Sequence, residues 1–290
     1  MDGIIIINKP KGFTSHDVIN VLRKALNIKK IGHTGTLDPN ATGVLPVLIG
    51  NATKISKYLV EHNKEYIATI SFGEKRNTGD LEGEVLEKDE KVEEKLKSMS
   101  TEKLNKILKS FLGKQKQIPP VYSAIKINGK KAYEYARKGQ DVEIKPRDIE
   151  IYKIELLKHE ENILSFKVEC SKGTYIRTLC EDIAKKIGTL GYLYDLKRTR
   201  VDKFNIEKSI TVEEIKNNPE IVKEKIISIE EIFKNEEKIE LNERKKELFL
   251  NGMQLTQEKQ DGVYRVYYGN QFVGLGVIKN KLLKRDVVVV

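Results

Sequence analysis

The sequence predicts a mixed fold of the α+β class, and three observations lead to this prediction. Short runs of β-favouring residues alternate with amphipathic helical patterns, residues 236–290 contain mainly strand-like runs, and no repeat or low-complexity linker interrupts the chain. The 290 residues, 39% of them hydrophobic, fit one large domain or one large domain with a small second one. The pattern alone does not choose the strand order.

The first half of the chain predicts strands and helices in alternation. Four consecutive isoleucines at residues 4–7 predict a buried strand, and Ser15 is the predicted cap of a helix that runs to Leu26. Further predicted elements are a Gly-rich loop at 32–43, a strand at 66–72 and a helix at 104–112 ended by Gly113. Residues 80–103, acidic on balance, are expected to be a solvated excursion of little chemical interest.

The second half continues with two strands, at 149–157 and 163–170, and a helix at 176–187 closed by Gly188. Two capping-box patterns, Thr211 with Glu214 and Ser228 with Glu231, predict short helices. Beyond residue 236 we expect one short helix and then strands at 263–268 and 271–278. These last elements predict a compact β-rich module at 236–290, small for an independent domain.

Charge and cysteine usage exclude several classes of protein. Lys and Arg number 53 against 43 Asp and Glu, a net charge of +10, which favours a polyanionic partner, although the excess can also serve only solubility. Cys170 and Cys180 form no CxxC pair, so neither a disulfide framework nor a thiolate zinc site is expected. No apolar stretch approaches the ~20 residues that span a bilayer, and no signal peptide is recognisable. We therefore expect a soluble cytoplasmic protein.

General cofactor and metal motifs are missing from the sequence. It contains neither the dinucleotide-binding pattern GxGxxG nor the phosphate-binding pattern GxxxxGK[ST]. The segment that begins at His159 satisfies H-x-E, but no P-C-x-x-C follows, which argues against a zinc deaminase. Four histidines without paired spacing make a metal site unexpected.

The loop at residues 32–43 is the densest candidate for chemistry. Its three glycines allow close backbone approach or positive φ values, and Pro39 favours an extended conformation at Asp38, which would project the carboxylate. An ordinary turn punctuated by Asp-Pro explains the same pattern, and the spacing alone does not decide between the two.

A second candidate cluster lies at residues 171–177, between a predicted strand and a predicted helix. Tyr175 and Arg177 are two residues apart, so on an extended segment both would face the same side. An arginine there could hold a carboxylate ionised and oriented. A surface arginine that pairs with Glu181 or Asp182 is an equally open alternative.

The third candidate is a basic segment at residues 114–147. It holds nine Lys or Arg against three acidic residues, interleaved with Tyr122, Tyr133 and Tyr135. Cations for phosphates together with aromatic faces for stacking are typical of proteins that bind single-stranded or looped RNA. The alternative is a solvated basic hairpin that binds nothing.

Five segments of the sequence occur in the order found in one protein family. They are Asn8-Lys9-Pro10-x-Gly12-x-x-Ser15, Gly32-His33-Thr34-Gly35-x-Leu37-Asp38-Pro39-x-Ala41-Thr42-Gly43, Lys64-x-Tyr66, Pro119-Pro120-x-Tyr122-Ser123-Ala124-Ile125-Lys126 and Ser171-x-Gly173-Thr174-Tyr175-Ile176-Arg177. In these the chain resembles the TruB-type tRNA pseudouridine synthases over its first ~235 residues. The resemblance implies a catalytic domain at 1–235 with a central mixed sheet flanked by helices, and a small PUA-like RNA-binding domain at 236–290.

The resemblance also implies an activity and the residues for it. The reaction would convert uridine 55 in the T loop of tRNA to pseudouridine after base flipping, without any cofactor. By position, Asp38 would be the catalytic carboxylate, Tyr66 would stack on the flipped uracil, and Arg177 would pair with Asp38 and keep it ionised. Tyr175 would touch the base and is the candidate for the final proton removal.

Further residues take substrate-binding roles by the same resemblance. His33 would hold the RNA loop in its flipped state, Lys9 would support the active-site loop and nearby phosphates, and Leu193 matches a hydrophobic base-pocket position. Residues 114–147 would be a mobile thumb that closes on the T-stem loop. The thumb residues that we expect at the RNA are Tyr122, Lys126, Lys130 and Lys131.

One departure and two rival functions remain. Tyr192 stands where the bacterial pattern usually has His, and Lys197 stands for an Arg, which puts one pocket wall in doubt and weakens a bidentate contact.

The rivals are the guide-RNA-dependent branch of the family, which needs protein partners, and a non-catalytic tRNA-binding or tRNA-folding protein. The short C-terminal module favours a stand-alone enzyme whose only partner is tRNA. The joint presence of Asp38, Tyr66 and Arg177 argues against binding alone.

Overall fold

The computed structural model describes residues 1–59, 62–127 and 129–290. By its internal contacts the chain divides into two compact units. Unit 1 comprises Met1–Asp38, Leu45–Val60 and Lys208–Val290, and unit 2 comprises Pro39–Val44 and Glu61–Glu207. The division predicted from the sequence at residues 235 and 236 is a different one, and it stays a prediction.

The strands of the described residues include most of those predicted from the sequence. In chain order they are β1 Gly3–Lys9, β2 Ile31–His33, β3 Thr42–Ile49, β4 Lys64–Phe72, β5 Glu74–Arg76, β6 Val85–Lys88, β7 Gly113–Gln117, β8 Lys126–Ile127, β9 Lys130–Lys131, β10 Arg147–Glu160, β11 Ile163–Cys170, β12 Gly191–Val201, β13 Phe204–Asn205, β14 Ile210–Thr211, β15 Lys238–Glu240, β16 Leu255–Thr256, β17 Gly262–Tyr268, β18 Gln271–Lys279 and β19 Leu282–Val288.

The helices likewise follow the predicted order. They are α1 Ser15–Leu26, α2 Val92–Lys97, α3 Thr101–Lys109, α4 Ala132–Ala136, α5 Ile176–Ile187, α6 Val212–Asn217, α7 Ile221–Lys225, α8 Ile229–Ile232 and α9 Glu243–Leu250, with 3-10 turns at Gly50–Tyr58 and Ile206–Lys208. In the part of the chain that the structure describes, no helix is both long and apolar enough to cross a bilayer.

The N-terminal part of unit 1 is organised around β1. This strand lies between β14, to which it is parallel, and β3, and its four isoleucines are fully or almost fully buried. One face of α1 packs into the same core through Val18, Ile19 and Leu22. The apolar run at residues 4–7 thus forms the buried strand that the sequence predicts.

The start of α1 differs from the prediction by one residue. Thr14, not Ser15, is the N-cap: its hydroxyl accepts a hydrogen bond from the Asp17 amide, and the Asp17 carboxylate accepts one from the Thr14 amide. The cap predicted at Ser15 is therefore wrong. The hydroxyl of Ser15 instead contacts Leu37, as described below.

The C-terminal part of unit 1 contains a second sheet with the strand order β15-β17-β18-β19-β16. Its core surrounds the fully buried Phe249 of α9 and includes Val266, Val273 and Leu283. The strands predicted at 263–268 and 271–278 correspond to β17 and β18, which pair antiparallel and meet at a turn over residues 269–270. The predicted β-rich C-terminal part of the chain is thus present, and its bounds as a domain stay a prediction.

Unit 2 is built on an antiparallel sheet with the order β12-β4-β11-β10-β7. Strand β11 shows the expected alternation, because Leu164, Phe166 and Val168 are buried while the residues between them are partly exposed. Helix α5 buries Leu179, Cys180 and Ile183, and it ends at Gly188 in the left-handed conformation, as the sequence predicts.

The two longest strands that the sequence does not predict are β3 and β12. Strand β3 contains Pro46, which normally argues against an interior strand because proline cannot donate a ladder hydrogen bond. Strand β12 carries polar and charged residues along most of its length, so it lacks a run of β-favouring residues. Both strands are stabilised by neighbours distant in sequence, which a local pattern cannot reveal.

Candidate functional site

Asp38 lies in the loop between β2 and β3, directly after a tightly held residue. The Ser15 hydroxyl accepts a hydrogen bond from the Leu37 amide at 2.9 Å and donates one to the Leu37 carbonyl at 3.2 Å. Leu37 is buried, at 4% exposure, whereas Asp38 is exposed. The preceding backbone is therefore anchored while the carboxylate remains accessible to solvent, which is what a group that acts on an external substrate needs.

Gly43, at the end of the same loop, has a structural reason to be glycine. Its φ of +101° is rarely adopted by other residues, and a Cβ atom there would lie 2.1 Å from the Arg198 carbonyl oxygen. The close approach expected of a glycine in this loop is thus, at Gly43, an approach to strand β12. By contrast, a Cβ atom at Gly32 would meet only Thr53, at 3.9 Å.

Arg177 is a buried residue in the first turn of α5. Its guanidinium donates to the carbonyl oxygens of Thr78, at 3.1 Å, and Tyr122, at 3.0 Å. It also forms an ion pair with Asp80, with 3.5 Å between Nη1 and Oδ2. Because only 9% of the Arg177 side chain is exposed, it is not a surface arginine, although its charge does act on Glu181, one of the two carboxylates named in that alternative. The predicted pairing with Asp38 stays a prediction.

Asp80 is a partner of Arg177 that the sequence analysis does not identify. Its side chain is 18% exposed, and the Thr78 hydroxyl donates to its Oδ1 at 2.6 Å. The prediction of a solvated excursion at residues 80–103 does not fit this partly buried residue at its start. No spacing or periodicity marks this carboxylate, because its contact with Arg177 joins residues that are 97 positions apart.

Tyr175 is the N-cap residue of α5, and its backbone is held on both sides by one side chain. The Gln117 amide group accepts from the Tyr175 amide at 2.8 Å and donates to the Tyr175 carbonyl at 3.1 Å. Since the helix starts at Ile176, the segment is not extended through Arg177. The argument from strand alternation that placed Tyr175 and Arg177 on one side is therefore wrong.

Tyr66 and Arg198 face each other across β4 and β12. The two residues are register partners, their side chains hydrogen-bond, and they are 7% and 1% exposed. Arg198 also donates from Nε to the Val44 carbonyl at 2.7 Å. The sequence analysis did not identify Arg198. Its only sequence signal is that it follows Lys197, the residue that stands for an Arg of the family pattern. Lys197, which is exposed, is not part of this contact.

The predicted substrate-binding residues of the core elements lie at strand ends. Lys9, fully buried, donates from Nζ to the carbonyl oxygens of Pro10 and Phe13, and so closes the turn after β1. His33 is the half-buried last residue of β2. Leu193 is buried in β12, and its amide donates to the Gly79 carbonyl at 3.0 Å. The neighbouring Tyr192 packs its ring under the Arg76 guanidinium, 4.4 Å from the ring centroid.

The basic segment 114–147 begins and ends in sheet strands, since β7 pairs with β10. Between them lies a short hairpin in which Lys126 is the register partner of Lys131, and Lys130 also belongs to it. All three lysines are exposed. Tyr122 is half-buried, and its carbonyl is an acceptor for Arg177. Like charges directly opposite each other destabilise a strand pair, so a bound polyanion would stabilise this hairpin.

The two cysteines and the possible metal ligands of the described residues complete the account of the candidate site. Cys170 and Cys180 are buried free thiols, and burial raises the pKa of both, to about 11 for Cys170. A buried thiol of this kind is unreactive. Among residues 1–59, 62–127 and 129–290, no group of three or more His, Cys, Asp or Glu could hold a metal ion.

Comparison with known proteins identifies a family. The family model described as TruB family pseudouridylate synthase (N terminal domain) matches residues 23–176, and tRNA pseudouridylate synthase B C-terminal domain matches residues 177–235. Two curated relatives are both named tRNA pseudouridine synthase B. The protein from Clostridium tetani is 44% identical over 95% of each chain, and that from Caldanaerobacter subterraneus is 42% identical over 98% of each chain.

Solved structures agree with this assignment. A chain in the crystal structure of a Cbf5-Nop10-Gar1 complex is 25% identical, with a TM-score of 0.68 over 99% of this chain and 83% of that chain. The predicted fold class, a central mixed sheet with helices and a C-terminal β domain, is confirmed. The chain therefore belongs to the TruB family of pseudouridylate synthases, which are isomerases.

Proposed function

We propose that this chain isomerises uridine to pseudouridine at position 55 in the T loop of tRNA. The observation that carries the proposal is the 40–44% identity, over nearly the whole chain, to enzymes named tRNA pseudouridine synthase B. The reaction detaches uracil at its glycosidic nitrogen, rotates it and rejoins it through C5. Atoms and oxidation state balance within the nucleotide, so the chemistry requires acid–base and nucleophilic groups rather than a redox cofactor.

Asp38 is the proposed catalytic carboxylate. Its exposure in a loop whose backbone is anchored at Leu37 supports this role, because the carboxylate can meet a flipped nucleotide without local unfolding. Tyr66 is proposed to stack on the uracil, and Tyr175 to contact the base and remove its C5 proton. Arg177 is proposed as the cation that keeps the Asp38 carboxylate ionised.

The RNA-binding surface is proposed to lie on two segments. The hairpin lysines Lys126, Lys130 and Lys131, with Tyr122, would contact the T-stem loop, because exposed cations on a short hairpin suit phosphates. Lys9 would support the active-site loop, His33 the flipped RNA loop, and Leu193 the base pocket. Residues 236–290 would act as a PUA-like RNA-binding domain. With tRNA as its substrate, the protein is expected in the cytoplasm.

The enzyme is proposed to act without a guide RNA or protein partner. One solved structure with this fold is an H/ACA RNP bound to a substrate RNA. Its chain is 24% identical to this one, whereas the curated tRNA enzymes reach 44%. The similarity therefore favours the tRNA enzyme over the guide-dependent branch, and the joint presence of Asp38, Tyr66 and Arg177 favours catalysis over binding alone.

An unmodified tRNA transcript tests the proposal directly. Purified protein is incubated with the transcript alone, and pseudouridine is mapped by carbodiimide adduct formation and primer extension. We expect one stop that reports position 55, and none when that uridine is replaced by cytidine. A transcript that stays unmodified at every uridine would contradict the activity. Modification only after guide RNA and partner proteins are added would favour the guide-dependent branch instead.

A further inference from the structure

Arg198 is a buried cation, and two of its partners belong to the proposed active-site elements. It lies in the middle of β12 and is 1% exposed. A guanidinium has five N–H donors and no acceptor, so a buried one must be surrounded by acceptors to avoid a large desolvation cost. The acceptors that meet Arg198 include the Val44 carbonyl and the Tyr66 hydroxyl.

The Val44 contact connects Arg198 to the segment that follows Asp38. Residues 39–44 lead from Asp38 into β3, and β3 pairs in parallel with β12 at the register Gly43 to Arg198. The absence of a side chain at Gly43 permits this approach, because a Cβ atom would lie 2.1 Å from the Arg198 carbonyl. The hydrogen bond of 2.7 Å between Nε and the Val44 carbonyl then holds the end of the loop.

The Tyr66 contact fixes the direction of a hydrogen bond. Since a guanidinium cannot accept, the Tyr66 oxygen accepts from Arg198, and the phenol proton points away from the guanidinium. Burial lowers the pKa of Arg198, and the interaction with Tyr66 acts in the opposite direction. The phenol oxygen is therefore held at one point, which restricts the orientation of the ring.

We propose that Arg198 is a positioning residue, which holds the Tyr66 ring through its hydroxyl and the segment 39–44 through the Val44 carbonyl. The inference rests on the proposed function, because it assumes that Tyr66 stacks on the uracil and that Asp38 acts on the nucleotide. One guanidinium would then hold both the stacking ring and the segment that follows Asp38. Misplacement of a reacting group by about 1 Å can cost on the order of 100-fold in rate.

A double-mutant cycle of Arg198→Lys and Tyr66→Phe tests the contact. In single-turnover reactions at saturating enzyme, Arg198→Lys should lower the rate by about 10- to 100-fold while T-arm RNA affinity stays within about two-fold. Because Tyr66→Phe keeps the ring, this variant should react faster than Tyr66→Leu and yet more slowly than wild type. The double variant should be no slower than the slower single variant, because both changes break the same hydrogen bond.

Arg200→Lys is the matched control on the same strand. Its guanidinium pairs with Glu169 at 2.8 Å, and a quarter of its side chain is exposed. We expect wild-type rate and affinity for this variant. If the losses in single-turnover rate add up in the double variant, the proposal is overturned. A Tyr66→Phe variant with the wild-type rate would overturn it as well, and this second result does not depend on whether the Arg198 variants fold.

Thermal unfolding of wild type, Arg198→Lys, Tyr66→Phe and the double variant separates this inference from the proposed function, since the measurement needs no activity. Non-additive shifts in Tm are expected if Arg198 and Tyr66 are coupled. If wild type is inactive on tRNA but the shifts are non-additive, the proposed function fails and the anchoring contact stands. If wild type is active and both the shifts and the rates are additive, the proposed function stands and the role of Arg198 is refuted.

Discussion

Replacing Arg177 by methionine should both destabilise the protein and stop the reaction. Methionine keeps the length and apolar contacts of the side chain but removes the donors to Thr78 and Tyr122 and the ion pair with Asp80. The two carbonyls then lose this donor, and the Asp80 carboxylate, 18% exposed, loses its ion pair while it keeps the hydrogen bonds from the Thr78 hydroxyl and the Glu82 amide. Removing one member of a buried ion pair costs about 3–5 kcal/mol. At roughly 2–4 °C per kcal/mol, the expected fall in Tm is about 6–20 °C.

Two assays measure the two consequences. Thermal unfolding followed by circular dichroism gives the change in Tm. Release of tritium from a tRNA labelled at C5 of uridine gives the rate, because the new bond forms at that carbon. We expect Arg177→Met to lower the single-turnover rate by at least about 100-fold. Arg177→Lys should recover part of the stability and little of the rate, since a point charge cannot reach all three partners.

Arg200→Met is the control, because it removes a partly exposed arginine and its ion pair with Glu169. Exposed pairs contribute about 0–1 kcal/mol, so its Tm should change by no more than a few degrees and its rate not at all. If Arg177→Met melted and reacted like this control, the assignment of Arg177 as a buried, functional cation would be refuted.

Three further predictions concern other parts of the protein. Asp38→Asn should abolish tritium release while T-arm RNA affinity, measured by fluorescence anisotropy, stays within a few-fold; turnover above a few per cent of wild type would contradict its role. Changing Lys130 and Lys131 together to Gln should weaken binding and lower the slope of log affinity against log salt by roughly 0.7–0.9 for each phosphate that the variant no longer neutralises, whereas an unchanged slope would remove them from the interface. Burial raises the pKa of Cys170 to about 11, above its usual value of about 8.5. The unfolded thiol ionises first, so stability should be full below the usual value and fall as the pH rises towards 11, and Cys170→Ala should flatten that fall in thermal melts, a difference that equal pH profiles would disprove.

Local sequence patterns suffice for the elements that depend on their own residues. The isoleucines of β1, the alternation of β11 and the apolar face of α5 closed by Gly188 each follow from a period of two or 3.6 residues. The motif around Asp38 and the Tyr175 segment likewise identify the family, which the comparisons confirm. The physical reason is that backbone geometry and burial of one face are encoded within a few neighbouring residues.

The tertiary structure alone decides which distant residues meet. The Asp80 partner of Arg177, the Arg198 partner of Tyr66 and the close approach at Gly43 depend on strand register and on where α5 packs. Strands β3 and β12 are not predicted, since Pro46 interrupts the apolar run of β3 and charged residues interrupt β12, and both strands are stabilised by neighbours distant in sequence. Register is set by the packing of whole strands, since a shift of one residue turns every side chain to the opposite face. The sequence by itself therefore determined the family and identified Asp38 as the candidate catalytic carboxylate, and the folded chain decided which residues the buried Arg177 and Arg198 contact.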